Sequence, residues 1–495
     1  MKRLSCSLFC LAFWAVSLTA AEIRTGTLLE LRLQQQVTSY SSRPGSEVRA
    51  TLIAPVRVNG DTLLPMGSTV RGKLSEVKRI GWGLRNLRAS LRIDFDSIQL
   101  PDGTSHDLKT RLTAVDNARE KVDDSGKIVG IRATAPMGYR AAGIARNLFF
   151  WDPMIQVVLA GTTAVVLNFP EAEINFPAGT EMQARLTEPL DVDTTWSTPL
   201  PKLATTEDSR RQILNQIRAM TWRTQTKGSA KPADIVNLVF LGDPEWLERA
   251  FNAAGWAAAD RLSKSTGWKT FHSFAEARPY PSAPMSPMTL DENPASLQFS
   301  KSLNNYSRRH HLRVFNQANH WNGHPVLAAS STQDLAITVS FSNRRLIHVI
   351  DRNIDNERAK IVNDLVYTGC VDAAEIIHRP WVPNSSEVAT GEHILTDGAV
   401  AVLELNPCRN PYRTLPAQDP MAVSGGWWQR LGRQVVLTIG NDFTFNNPIY
   451  QAGKGAQFLV RRAFKKDYQA PPVRASLLPV PERQTDLSPV TLPDD

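Results

Sequence analysis

The chain is poor in the features by which chemistry is usually read from sequence. It has four cysteines, with no Cys-x-x-Cys pair and no Cys/His spacing suited to zinc. A phosphate-cradling P-loop and a dinucleotide fingerprint are both missing. So is Gly-x-Ser-x-Gly, the nucleophile elbow; Ser286 lies between Met285 and Pro287 in a stiff, extended connector. The net charge of +8 comes from 56 Lys and Arg scattered against 48 Asp and Glu. Without a dense basic stripe, a nucleic-acid groove is not expected. Weak attraction to an anionic membrane surface or envelope polymer stays open. No apolar run reaches the roughly 18 residues of a membrane-spanning helix.

What is present points first to export. Lys2 and Arg3, the apolar stretch Leu8 to Leu18, and the small residues Thr19, Ala20 and Ala21 read as a cleavable leader over residues 1–21. Cys6 and Cys10 would leave with it, so only Cys370 and Cys408 remain. In an oxidising compartment these two can form one disulfide, and two unpaired buried thiols are the alternative. The charge-free run Met154–Phe169 follows the aromatic phrase Asn147–Trp151. It fits a buried or partner-facing segment, with membrane contact as the other reading.

Residues 22–200 read as a β-rich domain. Glu47–Ile53 and Ser90–Phe95 alternate apolar and polar residues, and turns at Asn59-Gly60, Met66-Gly67 and Pro101-Asp102-Gly103 separate such runs. The phrase Pro44-Gly45-Ser46-Glu47-Val48 returns as Ala178-Gly179-Thr180-Glu181-Met182, with a related copy at Pro65-Met66-Gly67-Ser68-Thr69. A repeated turn and strand suggests a barrel or sandwich that closes on itself. A linker helix is expected over 201–232, carried by Ile213, Ile217 and Met220, with Lys227–Pro232 as its boundary. Residues 233–415 then read as an α/β (α+β) domain with a mixed sheet, opening on the apolar strand Ile235–Leu241. Its first helix is expected from Pro244, with Asp243 as N-cap and Gly255 as stop. Strands are expected at His311–Phe315, Val326–Ser330, Leu335–Phe341 and Arg345–Ile350, and a helix from Asp355. Residues 416–470 read as a β-rich extension with a strand at Gln434–Ile439, and the proline-rich tail 471–495 as disordered.

Five phrases in order over about 233–380 resemble the LssY C-terminal domain family. They are Asp234–Gly242, Ala253-Ala-Gly-Trp256, Pro281–Pro287, Arg309-His-His-Leu-Arg313 and His348–Arg358. The resemblance implies a bacterial envelope protein. The family's own activity is unassigned, although some members join the domain to membrane phosphatase-like regions, which have no counterpart here.

The candidate site lies in the last two phrases. His310 or His311 with His348 and Asp351, and at a stretch Asp355, would make a divalent-metal shell or an acid–base set. Arg309 and Arg313 would clamp a phosphate or carboxylate. Strand alternation sends His310 and His311 to opposite faces, and Asp355 and Glu357 suit a helix start. Catalysis by His311, His348 and Asp351 therefore stays open, and a divalent metal is possible without being favoured. The reading that follows is an exported binding or assembly protein whose partners are envelope proteins or the membrane surface. A metal-assisted hydrolase of a phosphorylated or lipid-linked substrate is the alternative.

Overall fold

The computed structural model describes residues 21–132, 171–411 and 425–444, apart from 198–199, 204–205, 262, 277, 341–344 and 390, with a few positions near 154–159, 449–456 and 474–478. The leader up to Ala20 and most of the run Met154–Phe169 lie outside the described residues.

Alternation builds the N-terminal half. Strands β1 (Leu28–Leu33), β2 (Glu47–Leu52), β3 (Thr69–Lys78), β4 (Ser90–Gln99), β5 (Thr110–Val115) and β6 (Glu181–Leu186) form an antiparallel sheet in the order β5-β6-β1-β2-β3-β4. In β3, Val70, Gly72 and Leu74 point inward while Arg71, Lys73 and Ser75 face water. The sheet nearly closes: the Leu108 amide donates to the Asp96 carbonyl at 3.0 Å, and Thr110 Oγ1 donates to the Phe95 carbonyl at 3.1 Å. Closure removes open strand edges. The repeated phrase owes its glycine to backbone shape. Gly45, Gly67 and Gly179 turn the chain into β2, β3 and β6 with φ of 87°, 99° and 90°, a region costly for residues bearing a Cβ.

The C-terminal half is a mixed sheet with helices, as its phrase order suggested. Strand β8 (Pro232–Leu241) is buried from Ala233 onward because it has neighbours on both sides. It pairs antiparallel with β11 (His324–Ser340) and parallel with β14 (Val400–Leu405). Beyond β11 lie β10 (Arg309–Trp321) and then β9 (Leu297–Lys301), while β12 (Arg345–Ile350) pairs with the far half of β11. Strand β13 (Val371–Ile377) pairs with β14, and Cys370 and Cys408, just outside these two strands, are joined by a disulfide. The two strands expected within 326–341 are one continuous strand, β11.

Helix α2 (Pro244–Ala253) starts at Asp243 and Pro244 and is followed by Gly255 at φ 79°. Helix α3 (Lys264–Ala275) is capped by Ser263. Helix α4 (Asp355–Thr368) starts one residue earlier than Asp355 as N-cap would require, with Ile354 at the cap, and ends on left-handed Gly369.

Three expectations change. Lys227–Pro232 is no domain boundary: it is the turn between β7 (Arg223–Thr226) and β8, which pair antiparallel. Helix α1 (Glu207–Ala219) is no free linker, because Ile213 and Ile217 pack with Val236 and Val239 of the second domain. Gln434–Ile439 is helix, lying within α5 (Trp427–Thr444). The short run Val435-Val-Leu-Thr-Ile439 satisfies strand propensity, and only the longer window shows the 3–4 residue step of a helix. Inside the tail expected to lack order, the Arg474 side chain is largely covered and Leu477 and Leu478 are buried. Among the described residues no helix is long and apolar enough to cross a membrane.

Candidate functional site

Strand β10 organises the site because its two faces meet different surroundings. His310 lies opposite Lys301 of β9 and Gln333 of β11, and His311 lies opposite Ser300 and Thr332. Successive side chains leave a strand on opposite sides, so the two histidines serve separate clusters.

His310 is fully buried. Its Nδ1 lies 2.7 Å from Glu357 Oε2 of α4, and its Nε2 lies 2.8 Å from Asp116 Oδ2, just beyond β5. Only an imidazolium offers a proton on both nitrogens to two carboxylates. Burial favours the neutral ring, but Glu357 and Asp116 outweigh it and raise the pKa above the usual histidine value. Asp116 is held low; burial opposes this, and His310 and Arg474 prevail.

The same interface contains a larger network. Glu181 of β6 meets Arg32 at 2.7 Å, Lys301 at 2.8 Å and Lys360 at 2.5 Å. Asp364 meets Arg32 at 2.6 Å, Lys301 at 3.0 Å and Lys360 at 3.2 Å, and accepts from Trp256 Nε1 at 3.0 Å. Arg474 approaches Glu30 at 3.5 Å and Asp116 at 3.8 Å. With His310 charged, these cations balance the carboxylates Glu30, Asp116, Glu181, Glu357 and Asp364. Glu181 and Asp364 are driven below the ordinary carboxylate range: burial pushes the other way, and the facing lysines and Arg32 win. Glu30, Arg32, Asp116 and Glu181 come from the barrel, whereas Lys301, His310, Glu357, Lys360 and Asp364 come from the second domain. Helix α4 makes this possible. Glu357, Lys360 and Asp364 fall three and four residues apart on one face, while Ile361 and Leu365 enter the second domain's core.

On the other face, Arg309, His311 and Arg313 together hold the proline-rich connector. Arg309 Nη1 donates to the Ala283 carbonyl at 3.2 Å, His311 Nδ1 lies 3.0 Å from Met285 Sδ, and Arg313 Nε donates to the Ser286 carbonyl at 3.2 Å. Arg313 also donates to Asp234 at 3.1 Å, and Arg309 sits 4.7 Å over the Tyr306 ring. His311 Nε2 lies 2.5 Å from Asp334 Oδ2. Burial pushes His311 down to about 4, against the attraction of Asp334. The ring is therefore neutral near pH 7, with Nε2–H donating. His348 Nδ1 reaches the same Asp334 oxygen at 2.7 Å, off the angle for a hydrogen bond, and its side chain is 35% exposed.

The structure thus brings His311 and His348 together through Asp334. Asp351 is occupied elsewhere: it accepts from the Asn353 amide at 3.0 Å and from Asn356 Nδ2 at 2.9 Å, shaping the entry to α4. Burial raises its pKa. Asp355 accepts from the Asp397 amide at 2.7 Å and from Thr396 at 2.8 Å. Among the described residues no group of three or more His, Cys, Asp or Glu is placed to hold a metal ion. Sequence reasoning missed Asp116, Glu181, Asp334, Lys360, Asp364 and Arg474. The Glu357/Lys360/Asp364 stripe was visible at helical spacing, but it reads the same as a solvated face.

The quoted phrases converge in space: Asp234 on Arg313, Trp256 on Asp364, the connector on β10, and Glu357 on His310. Residues 214–400 match the family model described as LssY C-terminus. Over these residues the chain is similar to the LssY C-terminal domain family. No curated protein matches the sequence. Among solved structures the chain is similar to ComB10 of the Com type IV secretion system of Helicobacter pylori. They are 12% identical over 37% of this chain and 93% of that one, with a TM-score of 0.20, too weak a likeness to carry fold or function. The matched region begins inside α1 and ends at the first residue of β14.

Proposed function

We propose that the protein is an exported, envelope-associated binding or assembly component whose barrel and LssY C-terminal domain act as one body. One observation carries this reading. His310, the best-placed titratable residue of the domain, spends both ring nitrogens on carboxylates from two different parts of the chain. A general base or metal ligand needs a free nitrogen. The leader sequence and the Cys370–Cys408 disulfide favour an oxidising compartment. The test is envelope fractionation and crosslinked co-purification of the tagged full chain, in parent and in His348→Ala/Asp351→Ala. Expected is retention in the envelope with the same co-purifying proteins in both. Recovery of the parent only in the cytoplasm would overturn the reading.

A second reading, hydrolysis of a phosphorylated or lipid-linked substrate, has one observation in its favour. His348 is partly open to solvent and approaches the carboxylate oxygen that buried His311 also contacts. Phosphatase activity or stoichiometric metal in the purified chain, lost in His348→Ala with the fold intact, would establish it.

A further inference from the structure

Among the described residues, a run of exposed large apolar side chains lies on α5. Arg433 and Leu437 turn inward: Arg433 Nε donates to the Gly81 carbonyl at 2.8 Å and pairs with Glu171, and Leu437 is buried against Gly83. On the outward side Trp428, Leu431, Val435 and Ile439 follow at steps of three and four, the tryptophan 72% and the isoleucine 54% exposed. Trp427 stands beside them, also exposed.

This stripe is continuous with a loop of the barrel. Gly432 lies so close to the Trp82 ring that a Cβ there would come within 2.1 Å of it, so the helix and the β3–β4 loop form one surface. On that loop Trp82 is half exposed and Leu84 is 76% exposed. The nearby carboxylates turn inward, Glu171 onto Arg433 and Glu173 onto the Ile80 and Gly81 amides, so the exposed charge of the loop has one sign. Lys78, Arg79, Arg85 and Arg88 are exposed, and no carboxylate occurs from Val77 to Ser90. Arg430 adds a further exposed cation at the start of the helix.

A tryptophan-rich apolar stripe edged by cations is the make-up of a helix lying in a bilayer interface. We propose that the α5 stripe and the Trp82–Leu84 loop form a docking surface for an anionic lipid bilayer. Charge decides between occupants. A two-fold contact with a second copy would bring the same patch, arginines included, against itself, whereas anionic headgroups neutralise those cations. The envelope reading supplies a membrane to meet, and this inference supplies the surface. The two fail separately, because lipid binding is measured on purified protein whatever its compartment.

The experiment is flotation of the purified full chain with vesicles of phosphatidylglycerol and phosphatidylethanolamine, and with phosphatidylcholine alone. Expected is binding to the anionic vesicles, weakened by salt and well above binding to phosphatidylcholine. Trp428→Ser/Leu431→Ser should abolish it. Arg85→Gln/Arg88→Gln should weaken it by about fivefold per charge removed. All four side chains are exposed, so melting temperature should not move. Absence of binding, or binding unchanged in both variants, overturns the proposal. So does a dimer in sedimentation equilibrium that Trp428→Ser disperses, which would assign the stripe to a second copy.

Discussion

At the scale of single residues, the site is a set of buried charges that are tolerable only together. Glu181 faces three cations. Removing one partner of a buried network costs about 3–5 kcal/mol, because the remaining charge is left desolvated. Glu181→Ala should therefore lower stability by that order in urea unfolding. Glu47→Ala, at the equivalent position of the repeat but 56% exposed at its side chain, should cost about 0–0.5 kcal/mol. His310 gives this network a pH dependence whose sign is fixed. Its folded pKa is raised, so its contribution is complete below the unfolded value near about 6.5. That contribution is lost as pH rises through the raised folded value. Asp116 runs the other way: its pKa is depressed, so its share is present above its ordinary value and lost in acid. The stability gap between the parent and His310→Gln should be widest near pH 6 and narrow on the alkaline side. A gap independent of pH would mean that His310 is not the charged group.

At the scale of elements, β10 and α4 each have two faces doing separate jobs. The 309/311/313 face of β10 fastens the connector, and its 310 position meets the barrel. Alternation made that split legible in advance, since side-chain direction on a strand follows from backbone geometry alone. It could not say which face would meet what. Helix α4 makes the same point: the step between Glu357, Lys360 and Asp364 puts them on one side, yet every described residue from Asn356 to Leu365 is buried. Helix α5 misled for another reason, because a short β-branched window fits either structure. The disulfide ties the segments flanking β13 and β14. Cys370→Ser/Cys408→Ser should cost about 2–4 kcal/mol, and reductant should lower the urea midpoint of the parent but not of that variant.

At the scale of the molecule, the tail reaches back across both halves. The Arg474 amide donates to Asn356 Oδ1 at 2.8 Å and the Leu477 amide to Asn363 Oδ1 at 2.8 Å, while the Leu477 carbonyl accepts from Arg57 of the barrel at 2.5 Å. Leu477 and Leu478 enter the core of the second domain. Truncation after residue 470 should remove about 1.5–3 kcal/mol for each buried leucine and leave Glu30 without its nearest cation. A lower melting temperature and faster proteolysis would register this. An unchanged melting curve would mean that the tail is not part of the interface.

The alternating strands of the barrel, the split of His310 from His311, the turn glycines and the family resemblance were all determined by sequence. Each rests on local geometry or on short phrases that survive without their neighbours. Tertiary structure alone decided that Glu181 is buried among three cations while its repeat partner Glu47 faces water. It likewise sent Asp116, nearly two hundred positions away, to His310. Periodicity says which residues share a face; what that face meets depends on how two domains and a tail pack, and no local rule contains that.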